Sequence, residues 1–524
     1  MSATQAKALT HLSATELAGR IARGELTAQE AVEVHIARIE AVNPALNAVV
    51  VPRFDEARAE ARAADERQAR GEPLGPLHGV PITIKEAFAV AGTPATYGLR
   101  SRAHTLAADD DSYVARLRAA GAIVLGKTNV PQVLLYNETD NPVYGRTNNP
   151  WDLARTPGGS SGGEAAILAA GGSALGLGSD IAGSLRVPAA YCGICSIRPT
   201  AGRLPDFSDF GMSPGQTAIS SQAGPMARTV DDVALALGIL NGGTNPAAEP
   251  PRPLGDPAAM DLAALRVAYF TDDGILPVAP AVRRAVTEAA GMLAGRGAQV
   301  TEWQPPSMQQ AADLLFGIFS ADGARRLRRF MGRDPKDPRI AQTVLLASLP
   351  RPAIVALGGL LAAAGQRQQR AIVRCFGRRD TDHFWQLVAA QQAYRHDFAA
   401  ALDAGDGGPF DLVVCPAHAL PALPHGASKN LITAGAYAIV VNVLGYPAGI
   451  VPVTRVRQGE ESDRKGSADV VLRAARAAER GTAGLPVGVQ VLARPWREHV
   501  ALAAMRAIEA SALASGEHPG MPTI

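Results

Sequence analysis

Two glycine-rich segments, each carrying serine, are the part of this 524-residue chain with the clearest chemical potential. They are residues 158–164 (GGSSGGE) and residues 178–188 (GSDIAGSLRVP), and an apolar passage long enough for a buried helix or strand separates them. Glycine permits positive φ angles and close approach of the backbone to a ligand, and successive N–H groups of such a loop can stabilise a developing negative charge. A serine at the end of such a loop is placed to act as a nucleophile, although serine and glycine also form ordinary turns.

The pattern of residues 158–200 resembles the amidase signature family, in which a GGSSGG segment precedes a second loop with the nucleophilic serine. Residues 77–86 (LHGVPITIKE) match the lysine strand of the same family, and the motifs follow one another in family order. The resemblance implies that Lys85, Ser160 and Ser184 are the catalytic residues. It also implies a cis peptide bond between Gly159 and Ser160.

These residue types suit amide hydrolysis, which needs a nucleophile, a base, an oxyanion site and an acid for the leaving amine. Ser184 would attack the carbonyl, and its proton would pass to Ser160 and then to Lys85. A lysine accepts a proton only when neutral; its ordinary pKa is about 10.4, and burial lowers that pKa. Lys85 follows an apolar run, residues 80–84, that predicts a buried strand. Without the serine motifs, a lysine reaching water from a strand end is the alternative interpretation.

The second glycine-rich loop is the predicted oxyanion site. The resemblance assigns this role to the backbone N–H groups of Ile181, Ala182, Gly183 and Ser184. Ala182 stands where the family usually has glycine, and if this position needs a positive φ, alanine would cost on the order of 1 kcal/mol. Asp180 and Arg186 flank the loop, and we expect them to hold it through an ion pair and backbone hydrogen bonds.

The predicted substrate-binding residues are Gly159, Leu134 and Leu135. The two leucines belong to a family-like segment, residues 128–151, that should run beside the active site. They are candidates for lining an acyl-binding channel, and core packing is the alternative.

Composition argues against several classes of function. A formal net charge of +2 argues against a nucleic acid partner. Four cysteines in a chain of this length indicate a reducing compartment, and residues 1–10 contain no apolar run typical of a signal peptide or a membrane span. We therefore expect a cytoplasmic enzyme. The serine and lysine chemistry that the resemblance implies is expected to use neither a metal nor another cofactor.

Two further motifs suggest chemistry that their context does not support. Residues 121–128 (GAIVLGKT) satisfy the spacing of a phosphate-binding Walker A loop. The inner residues are apolar and largely β-branched, which favours a strand, and no strand signal precedes Gly121, so nucleotide binding is not expected. Cys192 and Cys195 form a C-x-x-C pair, which the resemblance interprets as packing residues rather than a redox pair.

Alternating helix and strand patterns predict an α/β fold. Capping boxes at Ser13 and Thr27 predict two N-terminal helices, and residues 112–120 and 280–295 predict further helices. The predicted strands outside the motifs are residues 122–125, 265–270, 411–415 and 448–453 and one at Val300. Residues 242–260 form a predicted loop or linker. The resemblance implies the amidase signature fold, a large mixed central β-sheet flanked by helices on both faces, as one domain over residues 1–524 with a signature core at about 75–230.

The middle of the chain, about residues 305–400, is predicted to be a helical, apolar cap region. Its apolar stretch at residues 353–365 is too short to span a bilayer, but the flanking arginines are typical of a segment that lies in a membrane interface. The fatty acid amide hydrolase branch of the family carries an apolar helical cap at this place. We therefore expect peripheral membrane contact through about residues 349–376, with a buried hairpin or a dimer contact as alternatives.

The resemblance extends over nearly the whole chain, including residues 441–453 and 484–490. It implies a serine hydrolase that cleaves fatty acid amides or N-acyl amines through an acyl-enzyme intermediate, and it implies a homodimer. The alternatives are an amidase of broader range, such as an aryl acylamidase or short-chain amide hydrolase, and an A-type subunit of a glutaminyl-tRNA amidotransferase. A nucleotide-binding protein and a catalytically inactive membrane-binding module are alternatives from other classes.

Overall fold

A mixed β-sheet lies at the centre of the computed structural model, which describes residues 3–204, 215–241 and 252–524. Within these residues eleven strands form the sheet and two form a separate ribbon. In chain order the strands are β1 (Val49–Pro52), β2 (Pro81–Lys85), β3 (Ile123–Thr128), β4 (Asp140–Asn141), β5 (Gly145–Arg146), β6 (Leu175–Asp180), β7 (Cys195–Arg198), β8 (Gln222–Ala227), β9 (Arg266–Tyr269), β10 (Gln299–Glu302), β11 (Leu412–Pro416), β12 (Ala448–Arg455) and β13 (Pro486–Ala493).

The strands of the large sheet follow the order β1-β3-β2-β6-β8-β7-β12-β13-β11-β9-β10, and β4 pairs with β5 in the ribbon. Strand β2 runs parallel to both of its neighbours, β3 and β6. The carboxyl ends of parallel strands meet at one edge of a sheet, which is where open α/β sheets bind their ligands. The lysine that ends β2 and the loop that follows β6 are thereby brought side by side.

Helices flank the sheet, as predicted. In chain order they are α1 (Ala3–Thr10), α2 (Ala14–Ala22), α3 (Ala28–Leu46), α4 (Phe54–Ala69), α5 (Ser112–Ala119), α6 (Gly162–Ala169), α7 (Arg186–Cys192), α8 (Val230–Leu240), α9 (Pro280–Ala294), α10 (Met308–Ser320), α11 (Arg325–Met331), α12 (Pro338–Ser348), α13 (Arg351–Ala363), α14 (Arg367–Val373), α15 (Thr381–Asp403), α16 (Ala436–Leu444), α17 (Val470–Glu479) and α18 (Glu498–Ser515).

The helices and strands that local sequence signals predicted individually are present. Both predicted capping boxes are present, at Ser13 with Glu16 and at Thr27 with Glu30. The predicted helices at residues 112–120 and 280–295 correspond to α5 and α9 within one residue at each end. Most of the predicted linker at residues 242–260 lies outside the described residues.

Neither of the two misleading motifs forms the site that its spacing suggests. Residues Lys127 and Thr128 of the Walker A match belong to the buried strand β3, which is longer than the predicted strand at residues 122–125. A residue in a strand ladder cannot also form the loop that wraps a phosphate. All four cysteines of the chain are free and buried, including Cys192 and Cys195.

The cap region is helical from α10 to α15, with α13 on its outer side. Helix α13 buries only Ile354 and Gly358, while Val355 and Leu360 are 64% and 70% exposed. Among the described residues none covers this face of α13, which argues against the alternative of a hairpin buried within the chain. In the part of the chain that the structure describes, no helix is long and apolar enough to cross a membrane.

Candidate active site

Lys85 ends β2 as a fully buried side chain that points to the two serine loops. Its ammonium nitrogen donates to Ser160 Oγ at 2.7 Å, to Ser179 Oγ at 2.9 Å and to the Ser179 carbonyl oxygen at 3.3 Å. Burial lowers the pKa of Lys85 to about 7, against the opposing charges of Asp180 and Glu164. At neutral pH a large fraction of this lysine is therefore unprotonated and able to accept a proton.

The GGSS segment places Ser160 beside Lys85 through close backbone packing. The peptide bond between Gly159 and Ser160 is cis, as the resemblance implied. A Cβ at position 159 would lie 2.5 Å from the Glu138 carbonyl oxygen and 2.6 Å from that of Tyr136, so only glycine fits there. Gly159 thus packs closely against the backbone of residues 136–138, and its contact with substrate stays a prediction.

The loop after β6 is held by a buried ion pair, as predicted. The guanidinium of Arg186 donates to Asp180 Oδ2 at 2.9 Å and Oδ1 at 3.0 Å, and neither side chain is exposed. Burial raises the pKa of the Asp180 carboxyl, but the charge and hydrogen bonds of Arg186 outweigh this effect and hold that pKa below its usual range. Arg186 also donates to Gln490 at 2.6 Å and to Asn442 at 2.7 Å, so the pair is satisfied on all sides.

The same carboxylate shapes the predicted oxyanion loop. Gly183 has a φ of 105°, and its N–H donates to Asp180 Oδ1 at 2.8 Å. The positive φ thus falls on glycine and not on Ala182, so the alanine at that position carries no backbone penalty. Because the Gly183 amide points to Asp180, it does not point to the cavity, in contrast to the prediction. No described residue accepts a hydrogen bond from the N–H groups of Ile181, Ala182 or Ser184.

A cavity of about 260 Å³ lies in front of these groups. Ser160, Ser179 and Ser184 line it together with Ile181 and Ala182. Most of the remaining wall is apolar, and it is contributed by Val133, Leu134, Leu135, Tyr136, Leu315, Phe316, Phe319, Ala324, Leu327, Ala347, Phe376, Ile432 and Ile439. The cavity therefore joins the candidate nucleophile to an apolar compartment whose wall includes Leu327 of α11 and Ala347 of α12.

The segment that carries the two predicted leucines has an unusual backbone. Val133, Leu134 and Tyr136 have φ values of 48°, 58° and 78°, and a positive φ at such residues costs on the order of 1–3 kcal/mol each. Surrounding contacts hold the segment, since the Val133 N–H donates to the Tyr97 carbonyl oxygen at 2.8 Å and the Tyr136 hydroxyl donates to the Arg339 carbonyl oxygen at 2.8 Å. In this conformation both Leu134 and Leu135 line the cavity.

Arg339 of α12 forms ion pairs that link the cap region to the segment beside the candidate catalytic serines. Its guanidinium lies 3.1 Å from the Glu138 carboxylate and 2.7 Å from that of Asp337, and it also pairs with Asp140. Glu138 in turn accepts the N–H groups of Gly426 and Ser428 at 2.7 and 2.9 Å. The ion-pair cluster thus fixes the cap over the cavity.

Sequence reasoning found the polar residues of this site and missed most of its apolar wall. Leu315, Phe316 and Phe319 from α10 carry no signature pattern, and only the packing of α10 in the tertiary structure shows that they line the cavity. Among the described residues, no group of three or more His, Cys, Asp or Glu side chains is placed to hold a metal ion.

Comparisons with known proteins agree with this arrangement. The Amidase family model matches residues 30–502. Fatty-acid amide hydrolase 1 from Sus scrofa is 34% identical over 532 residues, covering 98% of this chain and 87% of the relative. An acylamidase from Rhodococcus erythropolis is 40% identical over 321 residues, covering 59% and 65%. A solved structure of fatty acid amide hydrolase superposes with a TM-score of 0.82 at 26% identity, covering 98% and 87%. The chain belongs to the amidase signature family and is an amide-hydrolysing enzyme.

Proposed function

We propose that this enzyme hydrolyses fatty acid amides or N-acyl amines through an acyl-enzyme intermediate. The observation that carries the proposal is the cavity, in which a serine loop opens into an apolar compartment. The Sus scrofa relative is named for the same class of substrate. An alkyl chain in this compartment would be removed from water along its length, which is the main favourable term in binding such a substrate.

In the proposed reaction Ser184 attacks the amide carbonyl. Its proton passes to Ser160, and Ser160 passes its own proton to Lys85, an order that the 2.7 Å hydrogen bond between Lys85 and Ser160 supports. The Lys85 ammonium then returns a proton along the same path to the leaving amine, and water hydrolyses the acyl-enzyme. A lysine with a pKa of about 7 is suited to both steps.

The oxyanion that forms on the carbonyl oxygen needs preorganised donors. Three N–H groups of the loop are available for it, those of Ile181, Ala182 and Ser184. The Gly183 amide instead stabilises the loop through Asp180. We therefore assign oxyanion stabilisation to these three amides and a structural role to the fourth.

The apolar compartment of the cavity predicts how kcat/KM depends on the length of the substrate's acyl chain. For primary amides from acetamide to oleamide, we expect kcat/KM to rise with length until the apolar compartment is filled. Each methylene that becomes buried adds up to about 0.8 kcal/mol, which corresponds to roughly fourfold in kcat/KM. Leu134→Asn, which places a polar group on the apolar wall, should flatten the rise without affecting acetamide. A flat or falling profile for the wild-type enzyme would contradict the lipid substrate and leave an amidase of broader range.

An amidase with a broader substrate range is the second candidate function, because the Rhodococcus erythropolis relative is named an acylamidase. An aryl acylamidase would hydrolyse compact anilides faster than oleamide. Measuring both substrate series on one preparation separates the two candidates.

The exposed face of α13 supports peripheral membrane contact through about residues 349–376. Val355 and Leu360 project from the same helix whose Ile354 packs into the apolar cluster beside the cavity. The basic side chains Arg325, Arg326, Arg328, Arg329, Arg367 and Arg370, on α11 and α14 of the same cap region, are exposed. An apolar helix face in a region with exposed cations matches an anionic bilayer surface, and it would bring the cap side of the cavity close to the lipid that supplies the substrate.

Co-sedimentation with vesicles containing anionic phospholipid tests this contact. We expect the wild-type enzyme to sediment with the vesicles and Leu360→Asp to remain largely in solution. Leu513→Asp, at a residue of α18 that is 59% exposed, is the matched control and should bind like the wild type. Equal binding of all three proteins would contradict membrane contact through α13. If Leu360→Asp instead dissociated a dimer in lipid-free solution, the face would belong to the predicted homodimer.

A further inference from the structure

The GGSSGGE segment ends in a buried carboxylate that the proposed proton path does not use. Glu164 is the third residue of α6, and none of its surface is exposed. Its carboxylate accepts hydrogen bonds from the hydroxyl of Thr83 and, at 2.7 Å, from that of Thr128. A Cβ at position 176 would overlap the carboxylate, so glycine in β6 makes the space for it.

These contacts place Glu164 against the face of the sheet that carries Lys85. Thr83 and Lys85 are two residues apart in β2 and so project to the same side. Thr83 pairs with Gly176 of β6, and Lys85 pairs with Thr128 of β3. The carboxylate therefore contacts residues of three adjacent strands, on the same face of the sheet as Lys85.

Two carboxylates act on the charge of Lys85, and only one of them has another cation as its partner. Asp180 acts most strongly on Lys85, followed by Glu164, but Asp180 is bound directly to Arg186. Among the described residues, no cation forms an ion pair with Glu164, and Lys85 is the one whose charge acts on it. Burial raises the pKa of Glu164 to about 7, against the hydroxyls of Thr83 and Thr128 and the charge of Lys85.

We propose that Glu164 is a positioning residue for Lys85: its carboxylate sets how readily Lys85 releases its proton. An ionised Glu164 retains the proton on Lys85, because the two opposite charges compensate each other and neither side chain is exposed. A protonated Glu164, or a neutral replacement, lets Lys85 release its proton at lower pH. The two groups thus titrate as one coupled pair, and the pH range of the enzyme belongs to the pair.

This inference rests on the proposed role of Lys85, and the pH dependence of kcat/KM tests it. In Glu164→Gln the Thr83 and Thr128 hydroxyls keep a hydrogen-bonding partner of the same shape, while the anion is lost. We expect the acidic limb of the profile to move to lower pH by roughly one unit, the size of effect that one nearby charge has on a pKa. The plateau should remain within a few-fold of the wild type, because no reacting atom is changed.

Glu509→Gln is the matched control. Glu509 of α18 is partly buried, and burial also raises the pKa of its carboxyl to about 7. Its carboxylate accepts hydrogen bonds from the Val230 N–H and the Cys195 thiol, and its charge does not act on Lys85. Its replacement should leave the acidic limb in place. Coinciding limbs for wild type and Glu164→Gln would overturn the inference, whereas absence of any amide hydrolysis by the wild type would overturn the proposed function itself.

An infrared measurement keeps the inference testable should Glu164→Gln fold poorly. The band to follow is the carbonyl stretch of a buried protonated carboxyl, recorded during pH titration of the wild type and of Lys85→Met. Loss of the Lys85 charge should let this band persist to higher pH than in the wild type. A band with the same midpoint in both proteins would show that the two groups are not coupled.

Discussion

Replacing Ser184 with alanine is expected to abolish amide hydrolysis. The Ser184 hydroxyl is the proposed nucleophile, it lines the cavity beside Ser160, and removal of the nucleophile of a serine hydrolase costs on the order of 10⁶-fold in kcat. The residual rate should be that of water attacking a substrate whose carbonyl is still polarised by the loop amides. Hydrolysis of oleamide by the purified variant, followed to single-turnover sensitivity, provides the measurement.

Ser173→Ala is the control for this experiment. Ser173 is a buried serine whose hydroxyl donates to the Leu175 carbonyl oxygen at 2.9 Å, away from the cavity. Its replacement removes the same atom and should leave turnover close to that of the wild type. A fluorophosphonate, which reacts with activated serines, should label the wild type and Ser173→Ala but not Ser184→Ala. Undiminished hydrolysis by Ser184→Ala would refute the proposed nucleophile.

The second large effect is expected for Lys85→Met. General base catalysis contributes about 10²–10⁴-fold to a rate, and the variant should lose an amount of this order near neutral pH. The wild-type kcat/KM should rise with pH through about 7, where burial places the pKa of Lys85, and then level off, because only the neutral amine accepts the proton. In Lys85→Met that rise should vanish, and the residual rate should grow with pH as hydroxide takes over the role of the base.

Lys127→Met provides a matched control within the adjacent strand. Lys127 is also buried, and burial lowers its pKa to about 8, but its ammonium group donates to the Pro94 carbonyl oxygen and does not line the cavity. We expect this variant to keep the wild-type acidic limb even if it is less stable. Should Lys127→Met lose the limb and Lys85→Met keep it, the proposed base would be the wrong lysine.

Much of the site was predictable because its parts are local. Residues 158–164 and 178–188 specify their backbone through closely spaced glycines, and the apolar run of residues 80–84 specifies a buried strand that ends in Lys85. Parallel pairing of β2 with β6 then brings the motifs to one edge of the sheet. The capping boxes of the N-terminal helices were readable for the same reason, since each depends on residues only three positions apart.

Two glycines show where local pattern was insufficient. A side chain at Gly159 would meet the backbone of Tyr136 and Glu138. Gly183 was predicted to stabilise an oxyanion, and its amide instead donates to Asp180. In both cases the neighbour of the glycine comes from packing that a motif does not encode.

The sequence by itself determined the class of chemistry, the two serines and the lysine proposed to perform it, and the α/β framework around them. Only the tertiary structure decided what surrounds that chemistry. The cavity wall combines residues 133–136 with α10, α12 and residues 428–439, and Arg186 is held by a carbonyl oxygen 252 residues away. Contacts over such separations depend on how whole elements pack. The exposed face of α13 could not be predicted for the same reason. In a helix that is apolar on all sides, the sequence does not tell which side the rest of the molecule covers.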